Sequence, residues 1–310
     1  MRNFDLTLEN KRVHTFDIVS CDVKSPQLPD AFHNYRLVQL SDFHLGAATP
    51  LSHIAQAVSI VREIAPDLVL LTGDYLQLER FGWRFLIAHT VDPQGAGWLH
   101  HRRRVRKYAV ELSETLSSLT PRDGIIGVLG NHEYVEGVGT IIRQLGVRVR
   151  WLRNASTTIE RQGAHIRLAG IEDLRRGVPD LSLALARELR HTNGLLGAPH
   201  ELRIPHNPRS ECPVSALTIL LSHNPDIVLH DPNLLLGGVD LILSGHTHGG
   251  QICLPYLGPL LSRTKQRTHV SGLSWHNNTA VYVSRGLGYG MLKLRVCCPP
   301  EITVFTLRKS

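Results

Sequence analysis

Five short apolar runs in this 310-residue chain each stop on an aspartate, asparagine or histidine, and this repetition restricts the fold more than any other feature. The run at 36–40 leads into Ser-Asp-Phe-His, with Asp42 and His44. The run at 67–73 leads into Asp74, and that at 124–130 into Asn131 and His132. The run at 216–222 leads into His223, and that at 239–245 into His246 and His248. Short, wholly apolar runs are the mark of strands covered on both faces. Ligand-type residues at the carboxyl ends of such strands lie on the edge where α/β sheets bind their ligands. His246 and His248 are one residue apart, so they point to the same side of an extended segment. Gly245, Gly249 and Gly250 around them let the backbone turn tightly and approach a neighbour closely.

Between and after these runs the periodicity changes. Apolar spacing predicts helices over 51–65 (after Pro50), 105–119, 138–146 and 179–191, and strands within 147–171 and over 279–286 and 301–307. Alternation in the first half and a β-rich second half predict a mixed α/β fold. The polar stretches 88–107 and 196–215 read as long loops or insertions, because strand patterns continue on either side. A single domain over 1–310, with its motif core at 36–308, is therefore expected. Hydrophobic residues make up 42% of the chain, enough for a substantial core.

The five cysteines are odd in number, scattered and never in a CxxC pair, which argues against a disulfide framework or zinc knuckle and for a reducing cytosol. The first sixteen residues lack the apolar core of an export signal, and no run of about 18 apolar residues occurs, so no transmembrane helix is expected. The formal net charge of +7 favours anionic partners: phosphate esters, nucleic acid or an acidic membrane surface.

Any one Asp, Asn or His at a strand end reads as a cap or turn residue. Burying two aspartates and several histidines together is costly unless a cation compensates their lone pairs. Asp42, His44, Asp74, Asn131, His223, His246 and His248 are enough donors for two metal ions. Their mixture of carboxylate, amide and imidazole suits Mn²⁺, Fe or Zn²⁺. A pair of such ions suits phosphoryl chemistry.

The ordered blocks D-x-H, G-D, G-N-H-E, H and G-H-x-H, from Asp42 to His248, resemble those of the calcineurin-like metallophosphoesterase family. The resemblance implies a four-layer α/β/β/α sandwich of two mixed sheets and two divalent metal ions, with Mn²⁺ favoured. It assigns one metal to Asp42, His44 and His248, and the other to Asn131, His223 and His246, with Asp74 bridging. It makes His132 the residue that meets the substrate phosphate and protonates the leaving group. Protein Ser/Thr phosphatases of the family carry Gly-Asp-x-x-Asp-Arg-Gly and Arg-Gly-Asn-His-Glu. Here Asp74 is followed by Tyr-Leu-Gln-Leu-Glu and Gly130 is preceded by Leu129, which argues against phosphoprotein substrates. Non-catalytic scaffolds of the superfamily lose ligands that this chain keeps.

The blocks at 168–174, 220–226, 243–255, 283–288 and 298–303 look like a bacterial branch of membrane-associated phosphodiesterases. That branch includes a UDP-2,3-diacylglucosamine pyrophosphatase of lipid A synthesis, which releases UMP and 2,3-diacylglucosamine 1-phosphate. The resemblance thus implies a nucleotide-linked lipid as substrate and a cytoplasmic protein peripheral to the inner membrane. A nucleotide or nucleic-acid phosphodiesterase on the same site is the alternative. Between Asp74 and Asn131, aromatics Phe81, Trp83, Phe85 and Trp98 precede Arg102, Arg103, Arg104, Arg106 and Lys107. This aromatic-basic insertion, at about 79–107, has the chemistry of a lipid-facing lid, and equally that of a core stripe beside a solvated charged face. Arg285 is a candidate contact for a substrate phosphate or for backbone carbonyls. Cys253 reads as packing.

Overall fold

The computed structural model describes residues 5–78, 96–186, 188, 216–230, 238–260, 262, 264–290 and 293–310. One sheet has seven strands in the order β1 (Asp5–Val13), β2 (Phe16–Ser25), β17 (Glu301–Lys309), β3 (Tyr35–Leu40), β5 (Leu68–Leu71), β7 (Ile125–Gly127) and β8 (Val149–Trp151). The other has six, in the order β15 (Gly272–His276), β16 (Thr279–Val283), β12 (Leu241–Ser244), β11 (Leu217–Leu221), β10 (Ala164–Gly170) and β9 (Ala155–Arg161). Both are mixed: β3, β5, β7 and β8 run parallel, as do β10, β11, β12 and β16, while β9, β15 and β17 introduce antiparallel pairs.

Successive side chains of a strand point to opposite faces, and here each face meets a different core. Leu68 and Leu70 of β5 enter the cluster between the sheets. They meet there Leu217, Ile219 and Leu221 of β11 and Leu241 and Leu243 of β12. Val69 and Leu71 of β5 point the other way, onto helices α1 (Leu51–Ile64), α2 (Ala96–Leu116) and α4 (Val138–Leu145). On the far side of the second sheet, Leu220, Ile242, Val281 and Val283 pack against Leu181 and Ala184 of α5 (Leu181–Ala186) and against Ile227 and Val228. The result is the expected four-layer α/β/β/α sandwich. Apolar cores on both faces explain why the central strands are apolar at successive positions.

Three local differences from the sequence expectation have physical causes. First, β1 and β2 form a hairpin that apolar spacing does not predict. β1 is an edge strand whose residues are largely exposed, so it carries no apolar stripe, and its charged residues suit an edge. Second, α2 starts at Ala96, inside the stretch read as a loop. Only its later turns show the core-facing spacing, with Val105, Ala109, Leu112 and Leu116 buried. Its earlier turns carry no buried apolar stripe, and Arg102, Arg103, Arg106 and Lys107 are exposed, with the Arg102 guanidinium 4.5 Å from the Trp98 ring centre. Phe81, Trp83 and Phe85 of the aromatic-basic segment lie outside the described residues, as does the polar stretch at 196–215. Third, the Gly-Asn-His-Glu block opens a short helix, α3 (Asn131–Glu136), where only a strand end was expected.

Two smaller parallel strands, β4 (Leu45–Gly46) and β6 (Leu76–Gln77), continue the chain beyond the Asp42 and Asp74 loops. The N-terminal part of α2 is fixed beside them. Arg104 Nη2 donates to the Leu78 carbonyl at 3.0 Å, and His101 Nε2 lies 3.3 Å from Glu136 Oε2. Among the described residues, no helix is long and apolar enough to cross a membrane.

Leu70 is fully buried between the sheets. Leu70→Ala is expected to lower stability by about 2–5 kcal/mol, the range for a leucine truncated in a packed core. Urea denaturation of the two proteins measures the difference.

Candidate metal centre

The parallel strands β3, β5 and β7 of one sheet and β11 and β12 of the other end on a common edge, and the loops leaving them converge there. Asp42 and His44 follow β3, Asp74 follows β5, Asn131 and His132 follow β7, His223 follows β11, and His246 and His248 follow β12. All except Asn131 are buried. The sheets are bonded to each other at this edge. Gln39 Nε2 donates to the Ser244 carbonyl at 2.9 Å and to Thr72 Oγ1 at 3.0 Å. The His246 N–H donates to both Asp42 carboxylate oxygens, at 3.1 and 3.0 Å.

The donors fall into two adjoining groups, Asp42–His44–His248 and Asp74–His223–His246. Asp74 Oδ2 lies between them, 3.5 Å from His44 Nε2 and 3.2 Å from His223 Nε2. His132 joins His44 and Asp74 in a third grouping, with its Nε2 4.0 Å from Asp74 Oδ2 and its ring edge-on to His44. Helix α3 starts at Asn131, whose buried Oδ1 has no hydrogen-bond partner among the described residues, and His246 Nε2 is in the same condition.

The chemistry of these donors fits bound cations. His44 Nε2 and His248 Nε2 face each other at 2.9 Å, and His223 Nε2 and His246 Nδ1 at 3.1 Å. Two imidazole lone pairs at that separation repel unless a proton or a metal lies between them. The Thr72 carbonyl accepts from His223 Nδ1 at 2.7 Å, which puts a proton on Nδ1 and leaves Nε2 directed at Asp74. Burial alone would raise both carboxylates, but the surrounding imidazoles outweigh it and hold Asp42 and Asp74 below the ordinary aspartate value. Burial alone would lower His223, but Asp74 outweighs it and lifts His223 to about 10. Burial and the His223 charge hold His246 well below the ordinary histidine value. The pocket is thus built from anionic carboxylates and electron-pair donors that favour positive charge.

The local backbone is bent to make this possible. Asp42, His44, Asp74, His246 and His248 all have positive φ, between 45° and 71°. Non-glycine residues in that region cost about 1–3 kcal/mol each and persist only where their surroundings hold them. Here the Asp42 N–H donates to the Gly73 carbonyl and the His44 N–H to the Asp74 carbonyl, at 2.9 and 3.0 Å. Gly245 is needed for close approach, since a Cβ there would collide with Ser41 Oγ and Asp42 Oδ2.

Three supporting residues were not singled out from sequence. Glu133 accepts from the N–H groups of Gly130, Asp74 and Tyr75 at 2.7, 3.0 and 2.7 Å, clamping the Asp74 loop to α3. Burial and the Asp74 carboxylate push it up to about 8. Its place in Gly-Asn-His-Glu was the available signal. Ser41 Oγ donates to Asp42 Oδ2 at 2.6 Å. Arg295 donates to the carbonyls of Arg285 and Gly288 at 2.7 and 2.5 Å beneath the His248 loop. No spacing signal in the sequence marks it. Arg285 itself is engaged elsewhere: its guanidinium pairs with Glu301 at 2.5 Å and Asp17 at 3.1 Å. Cys253 packs with its thiol 3.2 Å from the Gly249 carbonyl.

A family model described as calcineurin-like phosphoesterase matches residues 35–250. The uncharacterized metallophosphoesterase YkuE of Bacillus subtilis is 29% identical over 301 residues, covering 96% of this chain and 87% of that protein. Phosphodiesterase YaeI of Escherichia coli is 27% identical, covering 88% of this chain and 82% of that protein. The UDP-2,3-diacylglucosamine pyrophosphatase LpxG of Chlamydia trachomatis is 26% identical, covering 89% of this chain and 85% of that protein.

Glu133→Gln replaces one acceptor oxygen of the clamp by an amide nitrogen that cannot accept. It is expected to weaken divalent-metal binding about 10–100-fold, the usual effect of losing an outer support of a ligand. Calorimetric titration of the metal-stripped protein reads this directly.

Proposed function

The chain belongs to the calcineurin-like phosphoesterase family, and from that membership we propose that it hydrolyses a phosphodiester or pyrophosphate through two divalent cations. The protein is a metal-dependent phosphoester hydrolase. The observation that carries the two-cation reading is the position of Asp74 Oδ2 between two donor groups. Asp42, His44 and His248 would hold one cation, Asn131, His223 and His246 the other, and Asp74 would be common to both. Bound there, divalent cations activate water as a nucleophile and neutralise charge on the phosphate oxygens.

The chain's own residues supply the rest. His132 is the second residue of α3, and its N–H donates to Asp74 Oδ1 at 2.9 Å, which fixes the start of the helix against that carboxylate. Its imidazole stands at the His44 side of the cluster and would pass a proton to the leaving oxygen. Leu78 and Leu129 are buried in the apolar core next to the site, at positions where the family's phosphoprotein phosphatases carry arginine. Apolar packing there favours a diester or anhydride over a monoester dianion that needs guanidinium groups to hold it.

For the substrate we favour UDP-2,3-diacylglucosamine, cut to UMP and 2,3-diacylglucosamine 1-phosphate in lipid A synthesis. Similarity to LpxG across most of both chains supports this, as does the exposed basic face of α2 beside the Asp74 loop. Mn²⁺ is the favoured metal, and peripheral attachment at the inner membrane would bring the enzyme to such a lipid.

The purified protein with Mn²⁺ and UDP-2,3-diacylglucosamine in mild detergent is expected to release UMP, and EDTA to abolish the release. Cleavage of an aryl phosphodiester without UMP release would discard the lipid substrate and leave the diester chemistry. His132→Ala is expected to lower kcat about 10²–10⁴-fold for a poor leaving group, and much less for p-nitrophenolate, which leaves without a proton. Metal content, measured by elemental analysis, should match the wild type.

A further inference from the structure

Directly after the His246–His248 loop the chain forms a small hairpin of β13 (Cys253–Leu254) and β14 (Gly258–Pro259), and its tip is apolar and exposed. Tyr256 is fully exposed, Leu257 is 79% exposed and Leu260 57%, with Leu254 also exposed. Exposed single leucines are ordinary, but several together on a protruding tip mark an interaction site. The root of the hairpin is firm. The Leu260 N–H donates to the Ile252 carbonyl at 3.0 Å, and the Cys253 N–H to the Val296 carbonyl at 2.9 Å. On the neighbouring segment that supplies Val296, Leu294 is 52% exposed and Lys293 is exposed beside it.

Along the sequence, the charge flanking this tip has one sign. From 241 to 300 the sequence contains no aspartate or glutamate, while it has Arg263, Lys265, Arg267, Arg285, Lys293 and Arg295. Arg285 and Arg295 are used internally, whereas Lys265 and Lys293 are exposed. Leucine and tyrosine at a tip flanked by lysine have the composition that enters the boundary between headgroups and acyl chains of an anionic bilayer.

We propose that the hairpin tip, with Tyr256, Leu257 and Leu260, docks the protein on an anionic lipid bilayer, next to the metal-binding loop. Charge complementarity selects this occupant. A second copy meeting the same surface would bring like charge against like. A polynucleotide would satisfy the lysines but leave the leucines in water. The proposal rests on the peripheral attachment inferred above and names the surface for it, and it holds for any substrate presented at a bilayer surface.

The test is co-sedimentation of the full chain with vesicles of phosphatidylcholine, with and without phosphatidylglycerol. Binding is expected with phosphatidylglycerol and is expected to weaken as salt is raised. Tyr256→Ser with Leu257→Ser should weaken it about tenfold or more by removing the inserted apolar surface. Lys265→Glu with Lys293→Glu should weaken it to a similar extent by reversing the local charge. Both pairs lie on exposed positions and should retain turnover of a soluble aryl phosphodiester, which shows that the fold is intact. Unchanged vesicle binding by both pairs, or no binding by the wild type, overturns the proposal. So does capture of an oligonucleotide in place of vesicles. The UMP assay contains detergent and no bilayer, so failure there and failure here are separate results.

Discussion

Two aspartates buried where two sheets meet are the constraint on which the rest of this structure depends. A buried carboxylate carries a desolvation penalty of several kcal/mol, and it is tolerated only when donors and opposite charge surround it. Asp42 receives the His246 N–H and the Ser41 hydroxyl, and Asp74 receives the His132 N–H. The donors to Asp42 come from both sheets, so its solvation also holds the two sheets in position. Stability of the sandwich and assembly of the metal centre are therefore coupled at one edge.

That coupling accounts for features that would otherwise look wasteful. Five non-glycine residues of the donor set hold left-handed backbone, and Gly245 leaves room that any side chain would fill. Each departure brings a ligand atom inward from a strand that would otherwise direct it along the sheet. Glu133 and the Thr72 carbonyl then fix the orientation of the Asp74 loop and the His223 ring. At this edge the strain and its support lie in the loops, while the strands below remain regular and apolar.

The surroundings of the site follow the same division. Below the loops, the described residues form three apolar clusters. Around them stand the basic face of α2 and the exposed β13–β14 tip, each joined to the chain just beyond a ligand loop. Exposed basic and apolar groups on these elements agree with the substrate proposed above, anionic at the reacting end and apolar at the other.

The strand-end positions of the candidate ligands were legible in the sequence because strand geometry is local: an apolar run followed by Asp or His puts that residue at a sheet edge whatever the strand order. The same locality made the core strands readable, since Leu68–Leu71 and Leu241–Ser244 are buried on both faces. The edge strand β1 and the first turns of α2 were not readable, because neither has a buried stripe to set a period. Arg285 shows the complementary limit. Its sequence context suits a phosphate, yet Asp17, from a strand 268 residues away, and Glu301 take its guanidinium. The sequence by itself determined which residue types stand at the strand ends, and hence the chemistry available. Only the tertiary structure decided that Asp74 lies between two donor groups and that Glu133 and Arg295 support them, because those relations join residues from different strands and sheets, and no local periodicity encodes such distances.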